Sequence, residues 1–310
     1  MQVFWILCAF AVIAQQTFAE VPPGAEDTKQ GAEQAGVADG EMVEGDMRVD
    51  EKSEGGSDRN MIRDERYRWP KNSQGFVIVP YDFSALNQKA RQKVLEAARD
   101  YGRWTCIKFV QRRSERNYLR MKHGNGCWSY VGMLRQGAQD LSLGNGCYGD
   151  VGTPTHEMMH ALGFHHEQNR KDRDQYITVN FNNVESANSY NFDLCDDSQC
   201  KLPKDKYDFL SVMHYEGNAF SKNGQDTMIP KAQYQDKILG QRLGLSRLDV
   251  SKLKEMYNCG SKTVTSNQGY QIPAEVVKDM RSDCSGFTYI CNEKKYQSWL
   301  FSNCRKTCGL

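Results

Sequence analysis

Two histidines, His156 and His160, lie four residues apart with the acid Glu157 between them, and a third, His166, follows. Side chains four positions apart project from one face of a helix, so both imidazoles can reach one metal ion. Gly163 lets the helix end in a turn with positive φ, which returns His166 as a third ligand. Three imidazoles leave one coordination position open, as in catalytic zinc sites. The spacing predicts one Zn²⁺ per chain, with Glu157 as the general base for a zinc-activated water.

A chance match is the alternative interpretation of this segment. Two histidines four apart around an acid also occur in unrelated helices. The additional Gly163 and His166, at fixed offsets, favour a catalytic metal site. His165 is a further histidine of the segment, and we expect it to be a surface or packing residue.

Apolar periodicity outlines the elements that must position these groups. Residues 76–81 predict a strand, and Ser84 is the expected N-cap of a helix whose apolar positions recur as far as Tyr101. The helix that carries the histidines should begin near Pro154. Shorter apolar runs predict three further strands, at 107–110, 118–121 and 140–143.

The second half of the chain has less regular patterning. Residues 169–245 are rich in Asn, Asp, Gly and Lys, which indicates irregular structure. A last helix should begin at Ser246, with Asp249 as its capping-box partner. Its predicted buried residues are Val250, Leu253 and Met256.

Charge is distributed unevenly along the chain. Residues 20–58 carry twelve acids and three bases, a net charge of −9, and have almost no large apolar residues. Because residues 1–19 are uncharged and the total is +1, residues 59–310 carry +10. An acidic leader can hold a basic body electrostatically until it is removed. The balanced total predicts no nucleic-acid partner.

The N-terminus and the cysteines indicate export. The apolar run 3–14 is too short to span a membrane and predicts a signal peptide over residues 1–19. We expect no membrane span elsewhere and a secreted, extracellular product. Of eleven cysteines, Cys8 leaves with this peptide, and the even remainder predicts five disulfides. Spacing alone leaves their pairing open.

Residues 156–174, HEMMHALGFHHEQNRKDRD, resemble the signature of the astacins, a family within the metzincin clan of zinc endopeptidases. The segments 211–215, 127–132, 143–147 and 69–70 are also similar to that family. The resemblance implies an α+β fold, namely a two-lobed catalytic domain with a zinc-bearing active-site helix. It also implies cleavage of protein or peptide substrates.

The resemblance further implies roles for residues outside the histidine motif. Met213 would lie beneath the metal in a Met-turn, and Tyr215 would swing from the zinc toward the oxyanion. The same resemblance implies disulfides between Cys106 and Cys259 and between Cys127 and Cys147. The additional Cys195 and Cys200 are expected to close a short local loop.

The leader resembles an astacin propeptide at Gly45-Asp46-Met47, which implies that Asp46 occupies the zinc in a zymogen. The alternative is that Asp46 is simply one acid among twelve. A trypsin-like protease would cut after Arg59, and the freed amino group of Asn60 would then pair with Glu167. Two further candidate cut sites are Arg63 and Arg66.

The tail resembles the ShKT module, named after a potassium-channel toxin, but has four of its six cysteines. The expected pairs are Cys284–Cys304 and Cys291–Cys308. Lys295-Tyr296 resembles the channel-blocking pair of such toxins, so a toxin or binding protein that acts on a potassium channel is the alternative function. The predicted segments are a signal peptide at 1–19, a propeptide at 20–59, a catalytic domain at 60–259, a linker at 260–283 and a small disulfide-rich C-terminal module at 284–310.

Overall fold

The computed structural model of the chain describes residues 41–49, 61–62, 64–195, 201–235 and 237–260. Several predictions fall outside these ranges. They concern the signal peptide, the cut at Arg59–Asn60 and its alternative at Arg63, Cys200, Lys295-Tyr296 and the tail cysteines Cys284, Cys291, Cys304 and Cys308.

A mixed seven-stranded sheet forms the framework, in the order β1-β2-β6-β7-β5-β3-β4. Strands β3, β4, β5 and β7 are parallel neighbours, whereas β6 runs antiparallel to β7. A small antiparallel pair, β8 and β9, lies in the second half of the chain. The strands are β1 (Glu41–Val43), β2 (Met47–Val49), β3 (Val77–Ala85), β4 (Ile107–Gln111), β5 (Tyr118–Lys122), β6 (Cys127–Tyr130), β7 (Ala138–Leu143), β8 (Ile177–Val179) and β9 (Met228–Pro230).

Three α-helices accompany the sheet: α1 (Gln88–Trp104), α2 (Gly152–Ala161) and α3 (Arg247–Met256). Short 3₁₀ helices occupy Glu65–Tyr67, Glu167–Asn169, Arg173–Gln175, Ser186–Phe192 and Ala232–Tyr234.

The first helix is confirmed, but its predicted N-cap is wrong. Ser84 lies in β3, which continues to Ala85 and pairs there with Lys122 of β5. Asn87 is the N-cap, and its side chain accepts a hydrogen bond of 2.9 Å from the N–H of Ala90. Both residue types cap helices, so sheet pairing decided where the helix begins.

The four predicted strands are confirmed within a few residues as β3, β4, β5 and β7, and the capping box of Ser246 with Asp249 is confirmed in α3. The buried side of α3 differs from the prediction. Val250 is only partly buried, while Asp249 and Lys252 are buried beside Leu253 and Met256. Segment 169–245 is mostly irregular, but it also contains β8 and β9.

The described residues form two hydrophobic clusters. The larger joins the sheet to the three helices and contains residues such as Val79, Leu119 and Met158. The smaller belongs to the second half, and its members are Ile177, Val184, Phe192, Tyr207, Phe209, Tyr215 and Met228. Two clusters agree with the expected two-lobed architecture.

Two disulfides cross-link the elements around the sheet. The Cys106–Cys259 bond joins the start of β4 to the residues after α3, and the Cys127–Cys147 bond joins β6 to the loop after β7. Cys195 is also disulfide-bonded, and its expected partner Cys200 lies outside the described ranges. None of the helices described here is both long and apolar enough to cross a membrane.

Candidate metal centre

Helix α2 carries the first two candidate ligands through the interior. His156, Glu157 and His160 are each at most 2 % exposed. The carbonyls at the end of the helix accept hydrogen bonds from distant side chains, because the indole N–H of Trp69 reaches Ala161 and the hydroxyl of Tyr257 reaches Leu162. These bonds satisfy groups that a helix leaves unpaired at its end.

Gly163 ends the helix in the predicted left-handed conformation, with φ at +94°. A side chain there would also collide with Ile62, since an added Cβ would lie 2.7 Å from its Cγ2 atom. The carbonyl of Gly163 accepts the N–H of Ile62 at 2.9 Å. This turn brings His166 back toward the helix.

The three imidazoles converge with their Nε2 atoms. His160 Nε2 lies 2.9 Å from His156 Nε2, and His166 Nε2 lies 3.3 Å from it. Four ligands about 2.0–2.1 Å from a tetrahedral zinc ion are about 3.3 Å apart. With one oxygen of Asp46, the four ligand atoms all lie within 4.8 Å of one another. The spacing therefore fits a zinc ion.

Each imidazole uses its other nitrogen to contact an acceptor. His156 Nδ1 lies 2.7 Å from the carbonyl of Val212, and His160 Nδ1 lies 2.7 Å from that of Phe164. His166 Nδ1 lies 2.8 Å from a carboxylate oxygen of Glu44. An Nδ1–H donated to an acceptor leaves the Nε2 lone pair for a metal.

Glu157 follows His156 directly on α2 and is buried with it. Burial and then the charge of Asp46 raise the pKa of Glu157, against the opposing effect of Arg242. Its Oε2 atom is buried and accepts no hydrogen bond from any described residue. Burial and His160 lower the pKa of His156 to about 3, which keeps that ring neutral and able to bind a metal at neutral pH.

Met213, the residue of the predicted Met-turn, packs in the larger hydrophobic cluster. Met213 is buried, and its carbonyl accepts the N–H of Glu167 at 3.0 Å. The ring of Tyr215 lies 4.3 Å from that of His166. Its hydroxyl donates to the backbone carbonyl of Glu44. The tyrosine is thus held by the leader.

The leader enters the site as a hairpin. Asp46 places one carboxylate oxygen 3.1 Å from His156 Nε2 and the other 3.0 Å from His166 Nε2. Burial opposes its ionisation, but the charge of His166 and hydrogen bonds from the three histidines hold the pKa of Asp46 well below its usual value. Gly45 has φ at +78°, and an added Cβ would lie 3.0 Å from the ring of Phe220. The left-handed backbone together with this close approach favours glycine at position 45.

Strand β2 attaches the leader to the sheet. It lies parallel to β6, with Met47 opposite Ser129 and Arg48 opposite Tyr130. Met47 is fully buried, and the guanidinium of Arg48 lies 4.1 Å from the ring centroid of Trp128. The cleft beside β6, where β2 lies, therefore accommodates an extended polypeptide as an added strand.

Two features of the site, the contacts of Glu44 and those of Glu167, were not predicted. Glu44 contacts His166 and Tyr215, but the sequence does not distinguish it from the other leader acids. Glu167 forms an ion pair of 2.6 Å with Lys252. The sequence signal that could have indicated a buried Lys252 is its position one helical turn after Asp249. His165 is buried, which agrees with the packing alternative of its prediction. The predicted pair of Glu167 with Asn60 stays a prediction.

A buried helix with two histidines, whose Nε2 atoms converge with that of His166, defines a mononuclear zinc centre of the metallopeptidase type. The profile of the astacin peptidase family matches residues 61–258, and that of "ShK domain-like" matches residues 276–310. The chain belongs to the astacin family.

Relatives of known identity agree with this assignment. Meprin A subunit beta of Rattus norvegicus is 37% identical over 222 residues, 71% of this chain and 30% of the meprin. Zinc metalloproteinase nas-6 of Caenorhabditis elegans is 32% identical over 267 residues, 80% of this chain and 76% of that protein. The solved structure of high choriolytic enzyme 1, a hatching enzyme zinc-protease from Oryzias latipes, has a TM-score of 0.60 at 35% identity and covers 65% of this chain and 100% of its own. This chain thus spans about a third of the length of the meprin subunits that it matches.

Proposed function

We propose that the protein is a secreted zinc endopeptidase, made as an inactive precursor, that hydrolyses peptide bonds in extracellular proteins. The observation that carries the proposal is the convergence of His156, His160 and His166 beside Glu157, in a cleft that holds an extended peptide segment. Secretion is supported by the N-terminal apolar run and by the disulfides.

The chain's own residues have distinct roles in this mechanism. The three imidazoles would hold zinc, which when bound makes a water molecule more acidic and polarises a carbonyl. Glu157 accepts the proton of the attacking water and passes it to the leaving amine. Tyr215, once its hydroxyl is released from Glu44, donates a hydrogen bond to the developing oxyanion.

Latency follows from the same contacts. Asp46 lies against the Nε2 atom of His156 and would take the open position of a bound zinc, while the carbonyl of Glu44 accepts the hydroxyl of Tyr215. Activation requires removal of this segment, and we propose a cut by a trypsin-like protease after Arg59. Met61 and Ile62 are buried in the core of the catalytic unit. A cut at Arg63 or Arg66 would remove them, which favours Arg59.

The alternative function, a toxin that blocks a potassium channel, rests on the tail alone. Lys295-Tyr296 and the four tail cysteines lie outside the described residues. The intact zinc centre favours the peptidase.

Cleavage of casein by the activated protein tests the proposal. Hydrolysis should stop when a chelator removes the metal and return when stoichiometric zinc is added. His160→Ala should lose both zinc and activity. His123→Ala is the matched control, because His123 is an exposed histidine bonded to Asn145 outside the site. Hydrolysis that persists in the zinc-free protein would contradict the proposal.

A further inference from the structure

Helix α3 carries two buried charged residues one turn apart, and each reaches a different side of the metal centre. Asp249 accepts the hydroxyl of Ser211 at 2.6 Å and the N–H of Val212 at 2.9 Å. The carbonyl of Val212 in turn receives His156 Nδ1. Lys252 instead donates to Glu167, the residue directly after the ligand His166.

The carboxylate of Glu167 is fully engaged while the leader is still attached. Its Oε2 atom lies 2.6 Å from Lys252 Nζ, and its Oε1 atom accepts the N–H of Asp208 at 2.8 Å. Arg170 is a more distant partner at 3.3 Å, and its other nitrogens are committed to both carboxylate oxygens of Asp172. Lys252 is therefore the principal counter-ion of Glu167.

Both members of this pair are buried, with side chains 2 % and 4 % exposed. A buried carboxylate requires a charged partner, and removal of Lys252 would leave Glu167 with only the longer contact to Arg170. The other acids that face Lys252, Asp208 and Asp249, raise its pKa together with Glu167, against the effect of burial. The ammonium is thus held charged by the interior of the fold.

We propose that Lys252 is a positioning residue of the active centre, which supplies from within the fold the positive charge that fixes Glu167 and the adjoining ligand His166. The sequence analysis instead predicted that the amino group of Asn60 pairs with Glu167 after cleavage. Because the pair with Lys252 exists in the uncut chain, the new amino group is not needed for it. This inference rests on the proposed peptidase function.

It follows that activation requires the leader to leave the metal but does not require a particular first residue upstream of Met61. An enzyme with extra residues before Asn60 should be as active as one that begins at Asn60. Loss of Lys252 should instead make the activity depend on the N-terminus, because the amino group of Asn60 could then take its place.

Four proteins test the inference: wild type, Lys252→Met, Lys252→Arg and, as a matched control, Lys254→Met. Lys254 is exposed on the same helix, two residues along. Each is prepared by engineered cleavage in two forms, one that begins at Asn60 and one with Gly-Ser before it. The measurements are kcat and KM on one peptide substrate and the zinc dissociation constant by chelator competition.

Wild type and Lys254→Met should have the same kcat in both forms, within about twofold. The extended Lys252→Met enzyme should lose about 10–100-fold in kcat and in zinc affinity, the usual cost of removing an outer-shell partner, with little change in KM. Part of that loss should be regained in the form that begins at Asn60, and Lys252→Arg should regain most of it in both forms.

A tenfold loss of kcat on extending wild type would overturn the inference and assign the counter-ion role to Asn60. Full kcat in extended Lys252→Met would also overturn it. If that variant does not fold, the two wild-type forms and Lys252→Arg decide the question. Zinc affinity is measured without turnover, so an inactive wild type would count against the peptidase function and not against Lys252.

Discussion

Replacing Asp46 with alanine in the uncut precursor should release part of the activity that the leader holds back. The Asp46 carboxylate lies 3.0–3.6 Å from the Nε2 atoms of His156, His160 and His166. Alanine removes this ligand, so a substrate water can take its place while the rest of the leader stays attached. An Arg59→Ala background blocks the proposed cut, and gel electrophoresis verifies that the chain is still uncut when its activity is measured.

The size of the effect can be worked from these contacts. Removing one partner from a buried charged cluster costs about 3–5 kcal/mol. Since about 1.4 kcal/mol corresponds to a factor of ten, the open form should become about 10²–10⁴ times more populated. Met47, the pairing of β2 with β6, and Glu44 on Tyr215 remain. The uncut variant should therefore stay less active than the cleaved enzyme.

Fluorogenic peptide hydrolysis at low and high salt distinguishes this mechanism from a purely electrostatic one. If the leader acted only through its net −9 against the +10 body, one lost acid would hardly matter. Salt would then activate wild type, because about 1 M salt shortens the screening length to about 3 Å. Glu41→Ala, which removes an equal charge elsewhere in the hairpin, is the control. Activity that appears only with salt, and equally in all three proteins, would refute the role of Asp46.

Three further predictions concern the cleaved enzyme. Glu157→Gln should lower hydrolysis by at least about 10²-fold while metal analysis still finds zinc, because the amide cannot accept the proton; activity within tenfold of wild type would remove Glu157 from the mechanism. Tyr215→Phe should lower kcat by about 10²–10³ with little change in KM, as expected for a transition-state donor, and a change confined to KM would place it in substrate binding instead. Serine at both Cys106 and Cys259, which are 153 residues apart, should reduce the free energy of unfolding by about 5 kcal/mol. Serine at both Cys127 and Cys147, which are 20 residues apart, should reduce it by about 3 kcal/mol. Chemical denaturation measures both losses, and equal losses would exclude loop closure as the cause.

Local spacing was sufficient for much of the site. The offsets of His156, His160 and Gly163 predicted a helix that ends in a left-handed turn, and Gly163 has that conformation. The capping box of Ser246 and Asp249 was likewise readable, because both partners lie within one helical turn. Such features depend on residues a few positions apart, where backbone geometry alone determines which side chains meet.

Local signals failed where competing elements shared the same residues. Ser84 and Asn87 are both good N-caps, and only the pairing of Ala85 with Lys122 extends the strand past Ser84. Strands β8 and β9 are three residues each, too short for periodicity to reveal. Their pairing is a property of the folded chain.

The sequence by itself determined which groups can bind zinc and how they are spaced on the helix. Only the tertiary structure decided what surrounds them. Glu44 meets His166 across 122 residues, and Lys252 meets Glu167 across 85. Nothing in the local pattern encodes these pairs, since a buried charge is matched to its partner by the packing of whole elements and not by the spacing between residues.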